Sequence, residues 1–224
     1  MPGTPRIVKT GARLTDAAVT LAITLVMSVL VSYPCGLARQ GAGACRKEPV
    51  VPRKALWIER RFIFDLPLTM FPNVLERLRG TPARVEERVG GLTPDELRAR
   101  VGEAWSIQET VGHLIEVEAL WIGRLDDFAQ GLERLRPADM SNRRTIDADY
   151  NSREAAAVLA GLRAVRGELV GRLDQLADEA IARCALHPRL GQPMRVLDLM
   201  VFAAEHDDHH LAGITEILGT QRGD

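Results

Sequence analysis

The sequence predicts an all-α protein, a four-helix bundle with a long crossover loop, preceded by an N-terminal extension outside the domain. Apolar residues recur at helical spacing along four stretches between residues 57 and 224, and no stretch sustains the apolar/polar alternation of a half-buried strand. One polar, turn-rich segment, "RPADMSNRRTIDADYNS" (136–152), is long enough to carry the chain across a bundle.

Composition places the extension. Residues 1–54 hold all three lysines (Lys9, Lys47, Lys54) and five arginines against two acids, Asp16 and Glu48, a net of +6. The remainder has 21 arginines, 28 acids and no lysine, a net of −7, so the boundary falls near residue 55, with an extension over 1–56 and a domain over 57–224. Within the extension, Arg6, Lys9 and Arg13 precede the uncharged run "AAVTLAITLVMSVLVSY" (17–33), which Pro34 closes, and "AGA" (42–44) has the small-residue spacing of a cleavage site. Three readings stand: sequence translated from a wrongly assigned start, an export signal, or a membrane anchor, with membrane contact only if 17–33 is retained. Cys35 and Cys45 lie in the extension and leave Cys184 alone in the body, so no disulfide framework is expected and a reducing cytoplasm is the simpler assumption. A body at −7 with no basic stripe argues against a nucleic-acid partner.

The first helical stretch, "LPLTMFPNVLERLRGTPARVEERV", spaces Leu68, Phe71, Val74, Leu75 and Leu78 as one face, with an interruption at Gly80 and Pro82. "LTPDELRAR" opens a short helix, with Thr93 as cap and Pro94 at its first position. "SIQE" has the capping-box spacing of Ser106 and Glu109, and a stripe of Ile107, Leu114, Val117, Leu120, Trp121, Leu125 and Phe128 runs on to Gly131. After the crossover, "NSRE" reopens a helix along Ala156, Leu159, Leu162, Val165, Leu169 and Leu173. "LHPRLGQP" is loop, and the last helix is expected from about Met194 to Leu218, with Gly219 just beyond its end.

That last helix carries "AEHDDHHLAGI" (204–214), three of the chain's five histidines. At 100° per residue His206 and His210 lie about 40° apart, on the side of Leu199, Ala203, Gly213 and Ile217, so both face the core. His209 falls at the edge of the stripe, and Asp207 and Asp208 turn further away. On the second long helix His113 lies just inside the stripe of Val117, Leu120 and Trp121. One buried imidazole is satisfied by one hydrogen bond; three converging from two helices are better explained as three corners of a tetrahedron around a divalent ion, with the fourth open to water or substrate. Other metal patterns fit less well. A zincin helix requires Glu where Asp207 stands, and a di-iron bundle requires two Glu-x-x-His pairs.

Three stretches, "WSIQETVGHL" (105–114), the crossover with "NRRTIDADYN" (142–151) and "FAAEHDDHHLAGI" (202–214), together resemble the DinB/YfiT-like superfamily of damage-inducible metal-binding bundles, over about residues 60–218. The resemblance implies a four-helix bundle, often a homodimer, with zinc or nickel held by His113, His206 and His210. It also implies the activities known among members, thiol-dependent S-transferases and isomerases. The family begins near "ERRFIFDLP" (59–67), which agrees with an extension outside the domain.

Bound by three neutral imidazoles, such an ion keeps its full charge and can lower the pKa of water to about 7 or hold a thiol as thiolate. The expected function is therefore a metal-dependent enzyme acting on a small-molecule substrate, by transfer of a low-molecular-weight thiol or by hydrolysis; the alternative is a non-catalytic bundle whose ion or histidine cluster supports folding or dimerisation. Near the site, Glu116, Glu205 and His209 are candidates to orient a ligand or act as base, although a helix-surface Glu more commonly pairs with Arg. His187 is expected exposed in its loop, Trp105 and Trp121 as core or interface anchors, and Cys184 as a small buried hydrophobe. The crossover around Asp147–Asn151 and the loop at His187 are expected to shape the pocket mouth.

Overall fold

The computed structural model describes residues 54–222; the apolar run at 17–33, the "AGA" triplet and Cys35 and Cys45 lie outside the described residues. The chain enters as an extended segment with two 3-10 turns, Trp57–Glu59 and Leu68–Met70, and lays Trp57, Phe62, Phe64 and Leu66 against the core. Helix α1 (Phe71–Arg79) and helix α2 (Thr81–Val89) are one stretch broken at Gly80, with Pro72 and Pro82 in their first turns, where a missing N–H does no harm. Helix α3 (Pro94–Arg98) and helix α4 (Ile107–Ala129) each start in a full capping box, Thr93 with Glu96 and Ser106 with Glu109. Helix α5 (Arg143–Asp147) and a 3-10 turn (Tyr150–Ser152) lie in the crossover, followed by α6 (Ala155–Leu173) and α7 (Asp178–Ile181). Strands β1 (Cys184–Leu186) and β2 (Pro193–Arg195) pair antiparallel, Ala185 opposite Met194, and lead into α8 (Val196–Arg222).

Four long elements make the bundle. α4 packs on α6 and α8, and α1 packs on the same two, so α1 and α4 take opposite corners. α4 and α6 are neighbours that start at the same end, with Tyr150 packed on Gly112, so the crossover must run back along the length of α4. One apolar cluster, with Trp121, Phe128, Leu169, Leu197 and Phe202, fills the end nearer the hairpin; a second, with Val85, Ile107, Leu114, Leu162 and Ile214, fills the other. No helix among the described residues is long and apolar enough to cross a membrane.

The elements depart from expectation in places with identifiable causes. The last helix begins at Val196, because Met194 is a fully buried strand residue and Asp198 accepts from the Arg195 backbone N–H at 2.9 Å; a three-residue strand is too short to show alternation. The helix also runs through Gly219 to Arg222, where Gln221 donates to the Glu96 carbonyl at 3.0 Å. α6 starts at Ala155 rather than within "NSRE", since the Ser152 hydroxyl donates to the Asp149 carbonyl and Asn151 Oδ1 accepts from Ser106 Oγ. Cys184 is exposed rather than buried, alternating with Ala185 along its strand.

The largest departure is polar. The buried stripe of α6 is Val158, Leu162, Arg166, Leu169, Val170 and Leu173, with Ala156 exposed and a charged residue at its centre. Arg166 donates from Nε to Glu118 Oε1 of α4 at 2.9 Å, from Nη1 to Asp207 Oδ2 of α8 at 2.6 Å and to the Leu78 carbonyl of α1 at 3.1 Å. Thr81 Oγ1, at the start of α2, donates to the same Asp207 oxygen at 2.7 Å. Asp207, expected to turn away from the histidine stripe, is fully buried on the side that faces α6 and the start of α2. Burial opposes the Arg166 charge, but the two carboxylates more than offset it and hold the guanidinium protonated.

Truncating one member of such a group strands the others in a dry core. We expect Arg166→Ala to lower unfolding free energy by about 3–5 kcal/mol in urea titration. The triple change Arg166→Met, Glu118→Leu, Asp207→Leu should recover most of that loss. A loss below about 1 kcal/mol for the single variant would mean that water already reaches the triad.

Candidate metal centre

Helix α4 presents His113 from its second turn, and α8 presents His206 and His210 one turn apart; one ligand atom from each lies within 4.8 Å of the others. The His206 Nε2 is 3.4 Å from His113 Nε2 and 3.2 Å from His210 Nε2. Two nitrogens bound to one tetrahedral zinc at ~2.0–2.1 Å are separated by about 3.3 Å, so these two pairs stand at ligand spacing, with the third pair within 4.8 Å. Burial pushes the His113 imidazole down to about 4, and burial with the neighbouring imidazoles drives His206 and His210 well below their usual range. All three are neutral at pH 7. Because a proton shared between two facing nitrogens leaves the third without a partner, the set suits a cation better than hydrogen bonds among its members.

A further side chain supports this fit. His113 Nδ1 lies 3.2 Å from Thr145 Oγ1 of α5, so with Nε2 free for an ion the Nδ1–H donates to that hydroxyl, fixing tautomer and ring plane. His206 Nδ1 is buried without a partner among the described residues. Thr145 escaped sequence reasoning because it lies 32 positions from His113 on a five-residue helix inside a turn-rich loop.

The triad opens on a cavity of about 640 Å³ lined by all five histidines of the chain. Trp57 meets His206 edge-on at 5.1 Å, Trp121 does so at 5.8 Å, and Trp105 tilts over His113 at 4.9 Å. Trp105 and Trp121 are thus cavity walls as well as packing residues. His187, expected exposed, is 2 % exposed and lines the cavity, since the hairpin loop folds it inward against Phe202 at 5.2 Å. Of the crossover, Arg136–Met140, Asn142, Arg144 and Thr145 line the cavity, whereas Asp147–Asn151 do not; Tyr150 is drawn away to pack on Gly112, where a Cβ would stand 2.2 Å from its ring.

Among the other candidates, Glu116 lines the cavity, but Arg144 Nε donates to one of its oxygens at 2.9 Å and Tyr150 Oη to the other at 2.7 Å. It therefore ties the crossover to α4. Glu205 pairs with Arg60 and Arg77, away from the triad. His209 lines the cavity beside Trp57, its ring centroid 5.4 Å from that of His210, and burial with Lys54 and Arg60 nearby lowers its pKa.

Compared with known proteins, the chain matches the family model described as the DinB superfamily over residues 77–214. Comparison with curated proteins gives no match. Among solved structures the fold is similar to that of YfiT from Bacillus subtilis, described as a probable metal-dependent hydrolase with an unusual four-helix bundle topology, with TM-score 0.62 and 20% identity over 74% of this chain and 94% of that one. It is similar also to a mycothiol-dependent maleylpyruvate isomerase, with TM-score 0.54 and 13% identity over 66% of this chain and 60% of that one. A protein from Streptococcus pneumoniae gives 0.51 and 11%, over 70% of this chain and 93% of that one.

The depressed histidines make a pH prediction. A group with a folded pKa below its unfolded value stabilises the fold above the unfolded value, and that stability is lost as pH falls toward the folded one. For His113 and His187 the window runs from 6.5 down to about 4, and the other three histidines shift the same way. Glu118, which burial raises to about 7, acts in the opposite sense, one group against five. In chelator, the urea midpoint should fall steadily between about pH 6.5 and about pH 4.5; a flat profile would contradict the burial of these rings.

Proposed function

The chain belongs to the DinB superfamily, and on that premise we propose that it is a metal-dependent enzyme that binds zinc or nickel through His113, His206 and His210 and hydrolyses a small-molecule substrate. The observation that carries this reading is the convergence of three neutral imidazole nitrogens, from two helices, on one point at the wall of a deep cavity. An all-nitrogen set favours zinc or nickel over magnesium or calcium, which take oxygen ligands. When bound, such an ion supplies a Lewis acid that polarises a carbonyl and favours the deprotonated form of water or a thiol.

The chain's own groups do the rest. Thr145 holds the His113 ring, and Glu116, fixed by Arg144 and Tyr150, keeps the crossover that carries Thr145 closed on α4. His209, neutral at pH 7 and on the cavity wall, is the side chain placed to accept a proton beside the triad. Trp57, Trp105, Trp121 and Phe202 line the cavity and limit water. Thiol transfer is a second reading at the same site, favoured by the likeness to a protein named for its use of mycothiol. The homodimer implied by the family resemblance is also carried forward as a proposal, to be read by light scattering on the same preparations.

Metal content separates these readings from a purely structural cluster. In the full-length chain grown with zinc and nickel, elemental analysis should find about one ion per chain, and His206→Ala should lose it while staying folded. Esters and amides, and then thiols with an electrophile, should be turned over by the first protein and not by the second. No ion in the unaltered chain would overturn the reading and leave a bundle whose histidines share hydrogen bonds.

A further inference from the structure

At the other end of the cavity stands a group of hydrogen-bond donors that the described residues only partly supply with acceptors. Arg124 of α4 is 1 % exposed; its Nε donates to the Arg136 carbonyl at 3.1 Å and its Nη1 lies 3.1 Å from His187 Nε2. Its nearest acid, Asp127, is already engaged by Arg136, and among the cavity's acids Glu116 is held by Arg144 and Asp139 by Ser141 and the Arg143 backbone. Arg189 also lines the cavity, with Nη2 buried and unpartnered among the described residues, and so is the Trp121 indole Nε1.

His187 sharpens the imbalance. Its Nδ1 accepts from the Leu190 backbone N–H at 3.1 Å. A neutral imidazole has one lone pair and one N–H, so with Nδ1 accepting the proton sits on Nε2, facing an Arg124 nitrogen that can only donate. The opposite tautomer moves the conflict onto a backbone amide that cannot turn. Burial, with Arg124 and Arg189 adding to it, pushes the His187 pKa down to about 4, so the ring stays neutral. Burial also lowers Arg124 to about 10, which leaves it charged at pH 7.

Two guanidiniums and two neutral donors, whose one nearby carboxylate, Asp127, is already bound by Arg136, are suited to an anion from outside. We propose that Arg124, His187, Trp121 and Arg189 bind the carboxylate of a small organic acid, so that the substrate is anionic and its reacting bond is directed past Trp121 to the histidine triad. The indole spans the two ends: its ring is 5.8 Å from that of His206 on one side and 5.6 Å from the Arg124 guanidinium carbon on the other. Trp121 and Phe202 make this end apolar as well as donor-rich. Desolvation cost grows with the square of charge, so a monoanion is favoured there over a phosphate dianion. The choice of substrate class rests on the proposed hydrolytic reading; the binding of the carboxylate does not.

The test uses the full chain, metal-free in chelator and zinc-loaded, with benzoate, benzamide and phenyl phosphate as probes in titration calorimetry. Benzoate should bind the metal-free protein, with benzamide weaker by about tenfold or more and phenyl phosphate no tighter than benzoate. Arg124→Gln should weaken benzoate by at least about tenfold while leaving zinc content unchanged. If that variant fails to fold, Arg189→Gln and the ¹⁵N spectrum of the unaltered chain decide: His187 should carry its proton on Nε2, and that resonance should move with benzoate. Equal binding of benzoate and benzamide, tighter binding of phenyl phosphate, no loss in the arginine variants, or an unmoved His187 would overturn the proposal. Benzoate binding that depends on Arg124 in a chain that takes up no zinc would uphold this site and sink the metal reading; zinc uptake without benzoate binding would do the reverse.

Discussion

The bundle depends on one buried guanidinium. Arg166 reaches from α6 to a carboxylate on α4, a carboxylate on α8 and a main-chain carbonyl on α1, and so touches each of the other long helices near the middle of the molecule. Apolar packing tolerates a helix sliding by a fraction of a turn, because leucine faces are much alike along their length. A desolvated ion group does not, since a small slip leaves a charge without its partner in a medium that cannot solvate it. The positions of its partners give the constraint a local meaning: Glu118 lies five residues beyond His113, and Asp207 directly follows His206. The relative placement of the triad's two helices is thus set one residue from the triad on α8 and five residues from it on α4.

Much of this fold is legible in the linear chain because its signals are local. Ser106 with Glu109 announces the start of α4, and Gly80 with Pro82 marks the break between α1 and α2. His206 and His210 fall on one helical face by arithmetic, and the structure brings His113 to them. What stayed hidden is long-range. Arg166, Glu118 and Asp207 are, taken one at a time, charged residues on helices, which usually means a solvated face. Thr145 and His187 gain their places from how the crossover and hairpin close, and no periodicity records that. The hairpin itself is three residues on each side, below the length at which alternation can be seen.

The two ends of the cavity differ in chemistry. At one end imidazole lone pairs gather; at the other guanidinium, indole and imidazole N–H groups do. The crossover holds the first end in place through three neighbouring contacts: Arg144 on Glu116, Thr145 on His113, and the Tyr150 ring seated on Gly112. The hairpin loop supplies His187 to the second end. Each end is completed by an irregular segment closing over a helix, which fits the general tendency of binding chemistry to sit on loops that a rigid scaffold positions.

The adjacency of His206 and Asp207 also sets how this protein can change over generations. Successive residues on a helix point about 100° apart, so one turn of α8 serves the cavity with one side chain and the interior ion group with the next. Adding or deleting a residue upstream in α8 would swing both out of place at once, and no single compensating substitution could restore them. Variation in specificity is therefore channelled into the crossover and the hairpin loop, whose lengths can drift while the helices between them keep count.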